Sequence, residues 1–130
     1  MSSELSILAL YALLVVVTIL LNVLTAMGQV GLLTLGGPRD GMALLTGMAG
    51  RIARALDNSV VAMALFAPAV LMLTLQEALT SGTLLAAQVF LIARVLFLPI
   101  YAFAVPVPFL RTVVWLVGFA ATIYLYLVAL

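Results

Sequence analysis

The stretch Arg51-Ile52-Ala53-Arg54-Ala55-Leu56-Asp57-Asn58 opens a hydrophobic run that continues to Leu75. It holds two arginines and an aspartate, although the whole chain of 130 residues has only five basic and four acidic side chains. Charged groups placed where burial is expected cost free energy, so they indicate either a functional site or pairing between helices. The rest of the sequence decides between these two interpretations.

The composition places the chain in a membrane. Hydrophobic residues make up 68% of the positions and charged residues 7%, whereas a soluble domain has about 45–50% apolar and about 25% charged residues. The net charge of +1 is too small to indicate a nucleic-acid partner. Cysteine and histidine are both absent, so the sequence predicts neither thiol catalysis nor a metal site with thiolate or imidazole ligands.

Four continuous apolar runs predict an all-α fold, a four-helix transmembrane bundle that forms a single domain over residues 1–130. A β-barrel strand would span the membrane in about 10 residues with alternating polarity, and these runs are about twice as long. The first run is longer than a hydrocarbon core of about 30 Å requires, so it tilts or leaves the core near Gly28. The predicted helices are residues 5–35, 47–75, 83–104 and 111–130.

The arginines predict the orientation of these helices. Arg39, Arg51 and Arg54 lie on or beside the first connection, and Arg111 lies on the third, whereas the second connection and both ends of the chain have none. By the positive-inside rule, both arginine-bearing connections face the cytoplasm and both termini lie on the other side.

Arg94 is the second unusual charge, because it stands near the middle of the third run. A central arginine costs about 2.5–3.5 kcal/mol on insertion scales, so it must face protein and find a partner. We expect a structural ion pair between Arg94 and Asp57, with Asn58 and Glu77 as the next candidates. Such a pair would fasten helices or subunits together.

Three further side chains have both a structural and a functional interpretation. Arg51 either extends to the lipid interface or contributes to a buried polar cluster. Tyr101 lies seven residues after Arg94 on the same helix face, as an interfacial anchor or as a hydroxyl donor to a ligand. Arg111 either anchors the fourth helix together with Trp115, or forms an anion receptor beside the helix N-terminus.

These elements together resemble the MAPEG family, the membrane-associated proteins in eicosanoid and glutathione metabolism. The resemblance rests on Arg51-x-x-Arg54-Ala55-x-x-Asn58, on Arg94 in the third helix, on Tyr101, on Leu110-Arg111-Thr112, and on Gly28-Gln29-Val30. It implies a homotrimer of four-helix subunits, of a divergent bacterial type, in the inner membrane. Its implied partners are membrane lipid, a lipophilic small molecule and further copies of the chain.

The resemblance also implies a chemistry and the residues that perform it. Family members bind glutathione between adjacent subunits at the cytoplasmic face and conjugate or isomerise lipophilic electrophiles. The resemblance implies that Arg111 stabilises the glutathione thiolate while Tyr101 donates a hydrogen bond to it. The residues implied to bind glutathione are Arg51, Arg54, Asn58 and Gln29.

Four positions differ from the family's pattern and keep two other functions open. Val61 stands where a glutamate is usual, Asp57 and Gly31 where basic residues are usual, and Phe97 where histidine is frequent. These differences are consistent with a non-catalytic membrane scaffold that has lost glutathione binding. A small proton-coupled exporter is the third hypothesis, and there Asp57 would be the membrane-embedded carboxylate.

Overall fold

The computed structural model describes residues 3–130 and contains four long helices and one short helix. Each of the four long helices is long and apolar enough to cross a membrane. The prediction of an all-α, four-helix membrane bundle is therefore confirmed. In chain order, the helices are α1 (Glu4–Val30), α2 (Leu32–Gly36), α3 (Gly47–Leu75), α4 (Ser81–Ala102) and α5 (Leu110–Ala129).

The first run is not the continuous helix over residues 5–35 that the sequence predicts. The chain leaves the helix at Gly31, whose φ is +87°, and the N–H of Gly31 donates to the carbonyl of Met27 at 3.0 Å. Glycine adopts a positive φ without the steric cost that a Cβ would impose. This break separates α1 from the short helix α2.

The other helices begin and end close to the predicted positions. The helix α3 coincides with the predicted range 47–75. The helix α4 starts at Ser81, two residues before the prediction, because Thr80 and Thr83 form a capping box in which each side chain accepts a hydrogen bond from the other's backbone N–H. The left-handed φ of +50° at Ala104 follows the end of α4.

The four long helices surround a core of aromatic and small side chains. The helix α1 packs against α3 and α4, and α5 packs against the same two helices, while α3 and α4 also contact each other. The ring of Phe90 stacks on Phe66 at 3.9 Å between centroids, and Tyr11 meets Phe90 edge-on at 4.9 Å. These rings pack α1, α3 and α4 against one another.

Antiparallel packing brings the start of α3, the end of α4 and the start of α5 to the same end of the bundle. We call this the arginine end, and define it by Arg51, Arg54 and Arg111. At the opposite end, the buried carboxylate of Glu4 accepts a hydrogen bond of 2.9 Å from the hydroxyl of Thr83.

Candidate functional site

A cavity of about 560 Å³ opens at the arginine end. Side chains from α3, α4, α5 and the connection between α4 and α5 line it, and the polar ones are Arg51, Arg54, Tyr101, Arg111 and Thr112. Helix geometry explains the convergence, since Arg51 and Arg54 lie three residues apart on one face of α3. All of these residues except Thr112 were candidate site residues from the sequence, and Thr112 belongs to the segment Leu110-Arg111-Thr112.

Two of the arginines, Arg54 and Arg111, contact Tyr101. Nε of Arg54 donates to the Tyr101 hydroxyl at 3.0 Å. The guanidinium carbon of Arg111 lies 4.9 Å from the centroid of the same ring, and that of Arg54 lies 5.9 Å from it. Among residues 3–130 the Tyr101 hydroxyl donates to no acceptor, so its proton is available to an anion in the cavity.

The remaining predicted binding residues are placed differently. Nε of Arg51 donates to the carbonyl of Ala102 at 2.9 Å, so this arginine caps the C-terminal end of α4 while it also lines the cavity. Gln29 bonds both backbone groups of Thr46, accepting from N–H at 2.8 Å and donating to the carbonyl at 3.0 Å. Gln29 therefore fastens α1 to the segment that leads into α3, and it does not line the cavity.

A second cavity, of about 300 Å³, continues from the first toward the middle of the bundle. Tyr101, Arg111 and Thr112 line both cavities. The second is also lined by Asn58 and by the aromatic side chains Phe97 and Trp115. Because the two cavities share three lining residues, the groove adds an amide and two aromatic side chains to the cationic opening.

Within residues 3–130 the partners of Arg94 are Asn58 and Ser59 rather than Asp57, and a pair between Arg94 and Asp57 of different copies stays a prediction. Nη1 of Arg94 donates to Oδ1 of Asn58 at 2.7 Å, and Nη2 donates to the hydroxyl of Ser59 at 3.0 Å. Asp57 is exposed on the outside of α3, because consecutive helix residues project about 100° apart. Asp57 also lies outside the cationic cavity.

Two polar residues of this network, Ser59 and Tyr11, were not predicted from the sequence. Ser59 bonds Arg94 through its hydroxyl, and its carbonyl accepts a hydrogen bond of 2.7 Å from the Tyr11 hydroxyl. Tyr11 lies only about two turns from the start of α1, where a tyrosine is also typical of an interfacial anchor, so its position carried no clear signal. Ser59 gave no signal beyond its position next to Asn58.

The arrangement can bind an anion and hold a nucleophile beside the aromatic side chains Phe97 and Trp115. Arg54 and Arg111 are exposed and present planar guanidinium groups that suit carboxylates. A thiol close to these cations and to the Tyr101 hydroxyl would be favoured as thiolate, which is the nucleophilic form.

Comparison with known proteins gives one match. Residues 7–130 match the family model described as MAPEG family, which covers nearly the whole chain. No curated protein and no solved structure matches the chain.

Proposed function

Since the chain belongs to the MAPEG family, we propose that it is a glutathione-dependent transferase acting on lipophilic electrophiles at the arginine end. The observation that carries this proposal is the convergence of Arg54, Arg111 and Tyr101 on one cavity, with a 3.0 Å hydrogen bond between Arg54 and the tyrosine hydroxyl. The aromatic side chains of the second cavity, Phe97 and Trp115, offer a surface for the lipophilic electrophile.

The cavity suits glutathione in charge and in size. Glutathione has two carboxylates and one ammonium group, so a site for it needs an excess of cations. Three guanidinium groups line the cavity, and among residues 3–130 no acidic side chain does. Its volume of about 560 Å³ falls in the range of about 300–1,000 Å³ that is common for small-molecule sites.

Each residue of the site has its own role in the proposed reaction. Arg54 and Arg51 bind the carboxylates, while Arg111 stabilises the negative charge of the sulfur. Tyr101 donates a hydrogen bond from its hydroxyl to the thiolate sulfur, and Arg54 holds that hydroxyl in place. The thiolate attacks an electrophilic carbon, a carbon–sulfur bond forms, and the leaving group departs with the electron pair. The thiol proton passes to water.

Asn58 contributes from the deeper part of the groove. Its side-chain oxygen accepts from Arg94 at 2.7 Å, which leaves the amide N–H groups to donate toward the cavity that it shares with Trp115. An electrophile dissolved in the bilayer would reach the sulfur along this apolar wall, which Phe97 and Trp115 form.

The proposal includes a homotrimer with the arginine end in the cytoplasm. Asp57 supports the assembly, because an exposed carboxylate within a membrane-spanning helix requires a partner from another chain. The arginine-rich connections support the orientation. Membrane lipid and the lipophilic electrophile complete the set of proposed partners.

Calorimetric titration of glutathione into the detergent-purified protein tests the proposal. We expect binding at millimolar or lower glutathione, and at least about tenfold weaker binding for Arg111→Ala, since a charge-assisted hydrogen bond is worth that factor. Arg39→Ala is the matched control, because Arg39 donates to the backbone carbonyl of Leu35 and lies outside the cavity. Absence of binding at millimolar glutathione, or equal losses in both variants, would contradict the proposal.

A further inference from the structure

The connection between α1 and α3 exposes large apolar side chains, although it lies outside the four long helices. Leu33 of α2 is 93% exposed and Leu44 is 90% exposed, whereas Leu13 in the middle of α1 is 60% exposed. Among the described helices α2 packs only against α1, so the bundle does not cover these leucines. Several large apolar side chains on one exposed segment indicate contact with a partner or with a membrane.

The length of α1 places this connection at the surface of the bilayer. From Glu4 to Val30 the helix has 27 residues, so it is about 40 Å long at 1.5 Å per residue. The hydrocarbon core is about 30 Å thick, and the bilayer with its headgroups is about 40–45 Å thick. A helix of this length, tilted by about 20° as membrane helices are on average, reaches from one headgroup layer to the other. The short helix α2, which follows directly after Gly31, therefore starts in the headgroup layer at the arginine end.

The apolar surface of the spanning helix continues into α2 without interruption by a charge. No charged residue lies between Glu4 and Arg39, and Leu20, Leu24 and Leu32 are all exposed along this stretch. Apolar side chains that the bundle leaves exposed on a spanning helix can contact lipid in the core, and the same surface extends into the connection. The partner that fits a continuous apolar surface at this depth is the boundary between the headgroups and the acyl chains.

Arg39 adds a cation at the edge of this apolar segment. Its Nε donates to the carbonyl of Leu35 at 3.0 Å, so the guanidinium lies at the C-terminal end of α2. The side chain is exposed. A guanidinium beside apolar side chains can bind a phosphate while the neighbouring leucines enter the acyl-chain layer.

We propose that residues 31–46 form an interfacial segment that binds phospholipid at the arginine end, with the leucines of α2 and Leu44 among the acyl chains and Arg39 on a headgroup phosphate. Gln29 bonds both backbone groups of Thr46 and so joins the two ends of this segment between α1 and α3. The contact is separate from glutathione binding and exists whether or not the cavity binds glutathione.

Spin labelling tests the depth of the segment, because the chain has no cysteine and one substitution gives one labelled site. Leu33→Cys would carry a nitroxide in liposomes of phosphatidylcholine and phosphatidylglycerol. Its collisions with oxygen, which concentrates in the acyl-chain region, would be compared with its collisions with a water-soluble nickel chelate. Asp40→Cys carries the same label on the same connection and controls for the affinity of the label itself for lipid. We expect the ratio of oxygen to nickel collisions to be severalfold higher for Leu33→Cys than for Asp40→Cys.

Two outcomes would overturn the proposal. Equal ratios for Leu33→Cys and Asp40→Cys would mean that α2 does not insert selectively into lipid. Low accessibility of Leu33→Cys to both oxygen and nickel would mean that a second copy or another protein covers α2 in place of lipid. Leu44→Cys should give the same high ratio, and it keeps the proposal falsifiable if Leu33→Cys does not fold.

The headgroup contact is tested with spin-labelled phospholipids, whose motionally restricted fraction reports the lipid bound to the protein. The wild-type protein should bind phosphatidylglycerol in preference to phosphatidylcholine. Arg39→Gln should lower this preference by up to about fivefold, because one basic residue at an anionic surface contributes that factor, whereas Arg39→Lys should retain it. An equal preference in the wild type and in Arg39→Gln would overturn the phosphate contact.

Discussion

Replacing Tyr101 by phenylalanine should separate turnover from glutathione binding. The change removes one hydroxyl and keeps the ring, against which the Arg111 guanidinium lies at 4.9 Å. Arg54 loses the acceptor that it holds at 3.0 Å, but Arg54 is exposed and can bond water instead, so the loss costs little free energy. The arginines can still bind the carboxylates of glutathione.

The expected magnitude follows from the bond that the hydroxyl makes to the sulfur. A hydrogen bond to a charged group is worth about 1.5–3 kcal/mol, and each 1.36 kcal/mol is a factor of ten in rate. Tyr101→Phe should therefore lower kcat for a chloronitrobenzene substrate by about 10- to 150-fold. The Kd for glutathione should change less than kcat, because glutathione can stay bound through its carboxylates as the neutral thiol when Tyr101 no longer stabilises the thiolate.

The assay is product absorbance at saturating glutathione, with Kd measured in parallel by calorimetry. Tyr124→Phe is the control, because this exposed tyrosine of α5 lies beside Gly82 at the other end of the bundle. The reasoning is refuted if Tyr101→Phe turns over like the wild type, or if it weakens glutathione binding as much as it lowers kcat.

Three further predictions concern the arginine end. In Gly50→Ala the new Cβ would lie 2.6 Å from a backbone carbonyl oxygen and 3.3 Å from Arg54, so the backbone must shift. Melting in detergent should show that the free energy of unfolding falls by about 1–3 kcal/mol. Gly118→Ala, whose new Cβ has contacts of 3.6 Å or more, should be tolerated. Arg51→Ala removes the bond to the carbonyl of Ala102 and should cost about 1 kcal/mol in the same melting experiment; an unchanged melting temperature would contradict this. Raising sodium chloride from about 0.1 M to about 1 M shortens the Debye length from about 10 to about 3 Å. Glutathione binding measured by calorimetry should therefore weaken severalfold. A salt-independent Kd would mean that the exposed guanidinium groups do not bind the carboxylates.

The fold could be predicted from the sequence because the apolar runs have clear polar or glycine boundaries. The range 47–75 agrees with α3, since Gly47 and Gln76 interrupt the apolar pattern on either side. The break at Gly31 could not be located, because leucines and valines surround it and a glycine within an apolar helix is also common in membrane proteins. The choice between a tilted helix and a broken one depends on backbone conformation, which the apolar pattern does not encode.

The cationic cavity was also predictable, because helix periodicity and antiparallel packing bring Arg54, Tyr101 and Arg111 together. The partners of Arg94 were predicted only in part, because Asn58 was named after Asp57 and Ser59 was not named. Opposite charge favoured Asp57, but side-chain direction on α3 turns Asp57 outward and presents Asn58 and Ser59 to Arg94 instead. A shift of one residue rotates a side chain by about 100°, so charge alone does not identify a partner between helices.

The measurement that tests the central claim most directly is the ultraviolet difference spectrum of glutathione bound to the protein at neutral pH. If the cavity lined by Arg54, Tyr101 and Arg111 stabilises the thiolate, the wild-type protein should show thiolate absorbance. The band should be lost in Arg111→Ala and absent for the glutathione analogue with a hydroxyl in place of the thiol. Glutathione that binds to the wild-type protein without any thiolate band, or a band of equal size in Arg111→Ala, would contradict the account.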